Sequence, residues 1–404
     1  MSGTIQDQLR AFSVARVIVV LRSAGAAASV DVSAIEKHFT ASELAAPTQL
    51  AAATPRAKTP PPVLHFPNLG VSLGTVSREG LQGLRADKKH VASVVGAPQL
   101  SMIRPTRVAA AKLTKTFTWG IEALGVRKLW DQGFTGKGIL IGHCDTGVDG
   151  AHPALKDAIA NYAVLDDLGR LAKRPPKPAE DTGEHGTHTA GTIAGRPING
   201  KNIGVAPDAQ IASATVIEGG DVAARVLGGL DWCVSLGVRV VSMSLGIRGV
   251  GEEWHPITQI LRAKNILPVY AVGNEGAGTS RYPGNYPEAL SVGAVDENGQ
   301  VADFSSSQRF ARANDPVVPD IVGPGVGVIS AMPGGGYQQM DGSSMATPHI
   351  AGLAALLFQA RPNATANDVE TAIFQACKLG KGVAAERAGR GFPDASAALA
   401  ALHP

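Results

Sequence analysis

The spacing of apolar residues changes along the chain and divides it into parts. Val14–Leu21 is a continuous, β-branched run and predicts a buried strand. Asp31, followed by Val-Ser-Ala-Ile-Glu-Lys-His-Phe, predicts a capped helix over residues 32–44. Residues 45–62, AAPTQLAAATPRAKTPPP, are rich in Ala and Pro and read as a flexible loop. Strand-like segments follow at 63–66 and 70–76, then a short helix at 77–85 and a strand at 90–95. The order β-α-β-β-α-β matches a small ferredoxin-like α+β unit over residues 1–97. Residues 98–118 read as an extended connector. From Trp119 onward, strand-like runs at 138–144, 209–216, 238–243, 266–272 and 290–295 alternate with helical stretches near 221–236 and 254–264. That alternation predicts an α/β domain with a mainly parallel sheet over residues 119–404.

Composition narrows the classes. A chain of 404 residues that is 44% hydrophobic has material for two or three domains and is not globally disordered. No run approaches the ~18 apolar residues of a membrane span. The start, MSGTIQDQLRAFSVARVIVVLRS, lacks the pattern of a secretory signal, because Arg16 and Arg22 close its short apolar run on both sides. Three cysteines, Cys144, Cys233 and Cys377, form no C-x-x-C pair, which argues against a disulfide scaffold or a zinc cluster. A reduced, cytoplasmic protein is expected. The net charge of +3 conceals a division: residues 1–113 carry 13 Lys and Arg against 6 Asp and Glu, and residues 114–404 carry 24 against 28. This asymmetry suits either a nucleic-acid-binding arm or two parts that attract one another. The basic residues are scattered, without runs or interleaved aromatics, so no nucleic-acid partner is expected.

Three segments carry candidate chemistry. In Ile141-Gly-His-Cys-Asp145-Thr-Gly-Val-Asp149, Asp145 ends a predicted strand, where α/β sheets build their crevices; a turn-forming Asp gives the same pattern. Glu184-His185-Gly-Thr-His188-Thr-Ala-Gly191 offers His185 as a base. A satisfied structural histidine and an H-x-x-H metal pair are the alternatives, but no Glu or Cys stands at helical spacing to complete a zinc site. In Asp341-Gly-Ser343-Ser344-Met-Ala-Thr-Pro348, Ser344 falls at the start of an apolar helix, where free N–H groups favour a developing anion; a plain Ser N-cap reads alike. Pro348 is expected in that helix's first turn.

Together, D-T-G-V-D, H-G-T-H-x-A-G and G-S-S-M-A-T-P-H-x-A-G resemble the subtilisin-like serine proteases, the subtilases, in their Asp, His, Ser order. The resemblance covers about residues 114–404. It implies a three-layer α/β fold and a serine endopeptidase acting on protein or peptide substrates. Asp145, His185 and Ser344 would form the triad, and Asn274 the side-chain donor of the oxyanion hole. It further implies that Ser244, Leu245 and Gly246 form one edge, and Ala271, Val272 and Gly273 another, between which a substrate adds as a strand. The N-terminal unit resembles the inhibitory propeptide of the family, so the chain's own N-terminal domain is expected as an intramolecular inhibitor. Counting back along the family match makes Leu113–Thr114 the candidate bond for self-cleavage.

The departures are informative. The structural calcium of many subtilases uses an Asp and an Asn at positions that are Ala154 and Ile198 here, and neither supplies an oxygen. No cofactor is therefore expected, and there is room only for a weaker cation site elsewhere. Arg281, before Tyr282-Pro283, stands where the family usually has a small residue at the floor of the primary specificity pocket. Its guanidinium either selects Asp or Glu before the scissile bond, or swings out to solvent or pairs with Glu275 at the pocket rim and leaves an apolar pocket. Two further activities use the same residues: a silent peptide-binding module, and a peptide ligase that passes the acyl group to an amine.

Overall fold

The β-branched run Val14–Leu21 becomes the inner strand of a four-stranded antiparallel sheet. It lies between Val71–Ser77 and Val91–Gly96, with Val63–Phe66 on the outer side of Val71–Ser77. The computed structural model of the chain describes residues 3–22, 32–40, 63–217, 219–313 and 315–402. The strand order is that of a ferredoxin-like unit, as the pattern predicts. The helix expected over 32–44 spans only Ser33–Glu36, and residues 41–44 and the loop at 45–62 lie outside the described residues. A helix not expected from the pattern, Ile5–Phe12, precedes the first strand and is held by a capping box between Thr4 and Asp7.

The large domain is built on a seven-stranded sheet in which every pairing is parallel. Its spatial order is Ile321–Pro324, Leu290–Val295, Leu267–Ala271, Val240–Met243, Leu140–Asp145, Gln210–Thr215 and Ile159–Val164. Adjacent residues on a strand feed opposite faces. Val240 packs with the helices His185–Ala194 and Ser343–Ala360, and Val241 with the helices Val222–Ser235 and His255–Ala263. The result is three layers with a core on each side of the sheet. From Leu140–Asp145, the chain first crosses to the edge strand Ile159–Val164, fills the gap with Gln210–Thr215, and later returns to build outward on the other side. Asp145 thus ends a strand at the point where the order reverses, which is where a crevice opens in such sheets.

The helix Ser343–Ala360 is apolar all round and is buried along nearly its whole length. Pro348 lies in its second turn, not its first. It cannot bond the Ser344 carbonyl one turn back, and the Ser244 hydroxyl approaches that carbonyl at 3.4 Å instead.

The N-terminal sheet packs onto the helix Val222–Ser235. Leu64, Phe66, Leu69 and Leu73 share one apolar cluster with Val226, Leu227 and Leu230. Val226 is therefore covered by the chain's own N-terminal unit. Polar contacts frame this patch: Arg16 pairs with Asp221 at 2.8 Å, and Asn68 Nδ2 and the Leu69 N–H donate to Asp231 at 2.8 and 2.9 Å. The opposite charges of the two parts thus meet at specific side chains.

Candidate functional site

Three elements deliver the candidate triad. The strand Leu140–Asp145 ends on Asp145, the helix His185–Ala194 begins with His185, and Ser344 is the second residue of Ser343–Ala360. All three side chains are almost fully buried. His185 Nδ1 donates to both Asp145 oxygens, at 2.8 and 2.9 Å, and the Thr146 N–H donates to Oδ1 at 2.7 Å. Burial would raise the Asp145 carboxyl, but the charge and hydrogen bond of His185, together with His143 and Thr146, hold it below the ordinary value. Burial likewise pulls the His185 imidazole down, while the Asp145 charge and hydrogen bond outweigh it and leave the pKa raised. His188, by contrast, is held by the Val328 carbonyl at 3.0 Å, and burial pushes it down to about 3; it is structural.

The fourth candidate is aimed by the residue before the candidate nucleophile. Asn274 Oδ1 accepts from both the N–H and the hydroxyl of Ser343, each at 2.8 Å, so its Nδ2 is turned into the cleft. The signal for Ser343 is its place directly before the candidate nucleophile. Gly273, with φ of +122°, takes a conformation that suits glycine, and a Cβ there would come within 2.8 Å of Ser306 Oγ and Glu275 Oε2.

The chain's own connector lies across these groups. Ser101–Met102 pairs antiparallel with Leu245–Gly246, and the Ile103 N–H donates to the Ser244 carbonyl at 2.9 Å. Beyond the centre, Thr106 N–H donates to the Asp341 carbonyl at 2.8 Å, and Arg107–Ala111 pairs with Tyr337–Asp341. Between these two stretches, Ser344 Oγ donates to the Ile103 carbonyl at 2.6 Å, and Asn274 Nδ2 to the Arg104 carbonyl at 2.9 Å. His185 Nε2 is buried without a hydrogen-bond partner among the described residues.

Two expectations change. Leu245 and Gly246 pair with the connector and the Ser244 carbonyl accepts from Ile103, but Ala271, Val272 and Gly273 do not pair with the connector among the described residues. Ala271 belongs to the central sheet, the backbone of Val272 is bonded to Val292 and Arg281, and that of Gly273 to Ser306 and Ser343 Oγ. The connector's other strand pairing is with Tyr337–Asp341, and it engages Arg107–Ala111, beyond Ser344. The Leu113–Thr114 bond also lies away from Ser344: Leu113 is buried in the large core and its carbonyl accepts from Lys201 Nζ.

Arg281 turns to Glu275. Its Nε and Nη2 both donate to Glu275 Oε1, and Nη1 reaches Ser101 Oγ at 3.1 Å and the Gly246 carbonyl at 3.3 Å. Arg248 Nε approaches the same carboxylate at 3.2 Å. Burial would raise Glu275, but the two arginines and the Asn274 N–H lower it below the ordinary carboxylate range.

The subtilase family pattern matches residues 136–391. The chain belongs to the subtilase family. Among its subtilase relatives, subtilisin E of Bacillus subtilis (strain 168) is 31% identical over 285 residues, covering 69% of this chain and 70% of the relative. Alkaline elastase YaB of Bacillus sp. (strain YaB) is 36% identical over 252 residues, 62% of each chain. Subtilisin Savinase of Lederbergia lenta is 36% identical over 248 residues, 61% of this chain and 85% of the relative. The chain is accordingly a subtilisin-like serine endopeptidase.

The loop expected to lack the family's calcium is lined by apolar side chains at both positions named for it. Ala154 is fully buried in the core, and Ile198 packs against it. The carbonyls near that loop are taken by side-chain cations. Arg196 donates to the carbonyls of Ala194, Pro207, Ala209 and Asp157, and Lys201 to that of Leu113. These residues do not fit a calcium ion. Among the described residues, no group of three or more His, Cys, Asp or Glu could hold a metal, and no helix is long and apolar enough to cross a membrane.

Proposed function

We propose that the chain hydrolyses peptide bonds through an acyl-enzyme on Ser344 and is made as a precursor restrained by its own N-terminal region. The observation that carries this reading is a peptide backbone lying on Ser344 Oγ and Asn274 Nδ2 together. In hydrolysis, Ser344 Oγ attacks the carbonyl carbon while His185 Nε2 takes its proton. The oxyanion is held by Asn274 Nδ2 and the free Ser344 N–H at the helix start. His185 then protonates the leaving amine. Water repeats the cycle on the ester, with Asp145 holding the imidazole by Nδ1 throughout.

The connector engages this machinery in an unproductive way. For attack at Ile103, its carbonyl oxygen should face Asn274, yet it accepts the proton of the nucleophile itself. The oxygen that Asn274 does hold is that of Arg104, whose following bond is to Pro105. A proline nitrogen is a tertiary amide and disrupts the strand pairing that would align the next residue. Both bonds are thus poorly presented, and Ser344 is diverted from His185. The intact chain should therefore label slowly with a fluorophosphonate, and rapidly once intact mass shows the connector cut; Ser344→Ala should not label at all. Equal labelling of intact and cut chains would remove the restraint, and no labelling of either would favour the silent binding module. Amine capture in place of hydrolysis by the labelled enzyme would identify the ligase.

For specificity, the pairing of Arg281 with Glu275 favours an apolar pocket over one that seeks a carboxylate. Wild type is expected to cut a peptide library after aliphatic residues. Arg281→Gly, which empties side-chain volume, should raise kcat/KM for Phe before the scissile bond about tenfold. Wild-type cleavage mainly after Asp or Glu contradicts this.

Arg196 and Lys201 are proposed to do at the loop what a calcium ion does in relatives. EDTA should then shift the melting temperature by less than the ~2–4 °C that 1 kcal/mol moves in a domain of this size. A larger loss that calcium reverses points to a cation site elsewhere.

A further inference from the structure

A second buried histidine adjoins the candidate triad, and the steps above do not use it. His143 precedes Asp145 by two residues on the same strand, so both side chains leave one face of the sheet. It is 1% exposed. Its Nε2 lies 2.8 Å from Thr189 Oγ1 and its Nδ1 3.0 Å from Ser213 Oγ. Thr189 stands one turn after His185 on the same helix, and its hydroxyl reaches Asp145 Oδ2 at 3.3 Å. His143 Nε2 is itself 3.8 Å from that oxygen. A line of contacts therefore runs from Ser213 through His143 and Thr189 to the carboxylate that orients His185.

The protons along this line can be placed. Burial lowers the pKa of His143 despite the charges of Asp145 and Asp181, with His185 adding to the lowering, so the ring is neutral and one nitrogen donates while the other accepts. If Nδ1 carried the proton, a ring lone pair at Nε2 would face the Asp145 carboxylate at 3.8 Å. If Nε2 carries it, Ser213 donates to Nδ1, Nε2–H donates to Thr189, and the Thr189 proton is free for Asp145. The carbonyls of His185 and Gly186, at 3.2 and 3.1 Å, share that proton. The second arrangement gives each proton an acceptor and turns no lone pair toward a charge.

We propose that His143 is a positioning residue for the hydrolysis, acting through Thr189 on the Asp145 carboxylate and hence on the basicity of His185. This rests on the roles given above to Asp145 and His185. A carboxylate whose outer oxygen accepts a hydrogen bond is fixed in plane and shows less charge to its histidine. The other groups that face His185 are Asp181, which favours its charged form, and His188, with His349 of the Ser344 helix beyond it; burial holds both of these histidines neutral. Removing the Thr189 hydroxyl or the His143 ring should therefore raise the pKa of His185.

The test reads His185 directly. In proton NMR, its Nδ1 proton is followed against pH in wild type, Thr189→Val, His143→Leu, His143→Gln and the Thr189→Val/His143→Leu double variant. The pH profile of kcat/KM is measured beside it. Thr189→Val and His143→Leu should each raise the apparent pKa by about half a unit and lower kcat about tenfold with KM unchanged. The double variant should do no more than Thr189→Val alone, because both act along one path. His143→Gln, whose side-chain amide can replace Nε2–H, should stay near wild type. Titrations of Thr189→Val and His143→Leu that superimpose on wild type, whatever their melting temperatures, overturn the proposal. If His143→Leu does not fold, an unshifted Thr189→Val alone overturns it. The titration needs no substrate, so a chain that titrates as expected yet cleaves nothing would refute the hydrolase reading and leave the coupling standing.

Discussion

Ser344→Ala is expected to lower kcat by about 10⁶-fold while the fold and the melting temperature stay near wild type; that magnitude is the one measured for subtilisin itself, not one derived for this chain. The hydroxyl oxygen becomes the ester oxygen, and the neighbouring Ser343 hydroxyl does not replace it, because it donates to Asn274 Oδ1. His185→Ala should cost about as much, and the double variant hardly more, because the nucleophile without its base and the base without its nucleophile are equally idle. The comparison is made on enzyme whose connector has been cut by an added protease, since the Ile103 carbonyl otherwise holds the Ser344 hydroxyl wherever that hydroxyl is present. The pH profile gives a second check. His185 acts as a base only when neutral, and its pKa is raised above the ordinary 6.5. Activity should therefore rise with pH through a midpoint above that value and be lost below it. Retained cleavage of a denatured protein by purified Ser344→Ala, or an acid limb well below pH 6.5, contradicts this assignment.

The parts of the site that local sequence dictates were legible, and those completed by distant partners were not. Asp145, His185 and Ser344 each sit at the end or start of a regular element, so a short motif carries both the residue and its placement. The same holds for Asn274 just beyond the strand Leu267–Ala271. The connector is different. Ser101–Met102 and Arg107–Ala111 are too short to show a period of two, and they are strands only because Leu245–Gly246 and Tyr337–Asp341 offer them edges. Their register across Ser344 depends on partners more than 100 residues away, which is why the counted cleavage site at Leu113 and the occupied site at Ile103–Arg104 differ. Arg281 shows the same limit: its position in the pocket wall follows from the Tyr282-Pro283 motif, whereas its turn toward Glu275 depends on a carboxylate that only the fold brings near. At the N-terminus, Ile5, Leu9 and Phe12 stand at i, i+4 and i+7, and with the Thr4–Asp7 capping box they made the helix Ile5–Phe12 legible, although it was not expected. His143 stood two residues before Asp145 on a predicted strand, and that spacing alone places both on one face.

Asn274→Leu should lower kcat by roughly 10²–10³-fold with little change in KM, again a magnitude known from the oxyanion asparagine of subtilisin. The reason is differential: Nδ2 binds the negative oxygen of the tetrahedral intermediate more strongly than a neutral carbonyl, so its loss is felt most at the transition state. Here the substitution does a second thing. Oδ1 also accepts from the Ser343 N–H and hydroxyl at the start of the nucleophile's helix, and Leu leaves both donors without it. A stability loss of about 1–3 kcal/mol per donor left unsatisfied is expected, less what water recovers at this half-buried site. Asn274→Asp separates the two effects, because it keeps an acceptor for Ser343 and replaces the donor with a negative charge. It should melt near wild type and be at least as inactive as Asn274→Leu. The Asn274 amide further holds the Arg104 carbonyl in the intact chain, so both variants should also loosen the connector, seen as faster cutting of that segment by an added protease. Full activity in Asn274→Asp would show that the Ser344 N–H alone suffices, and that Asn274 serves the precursor and not the reaction.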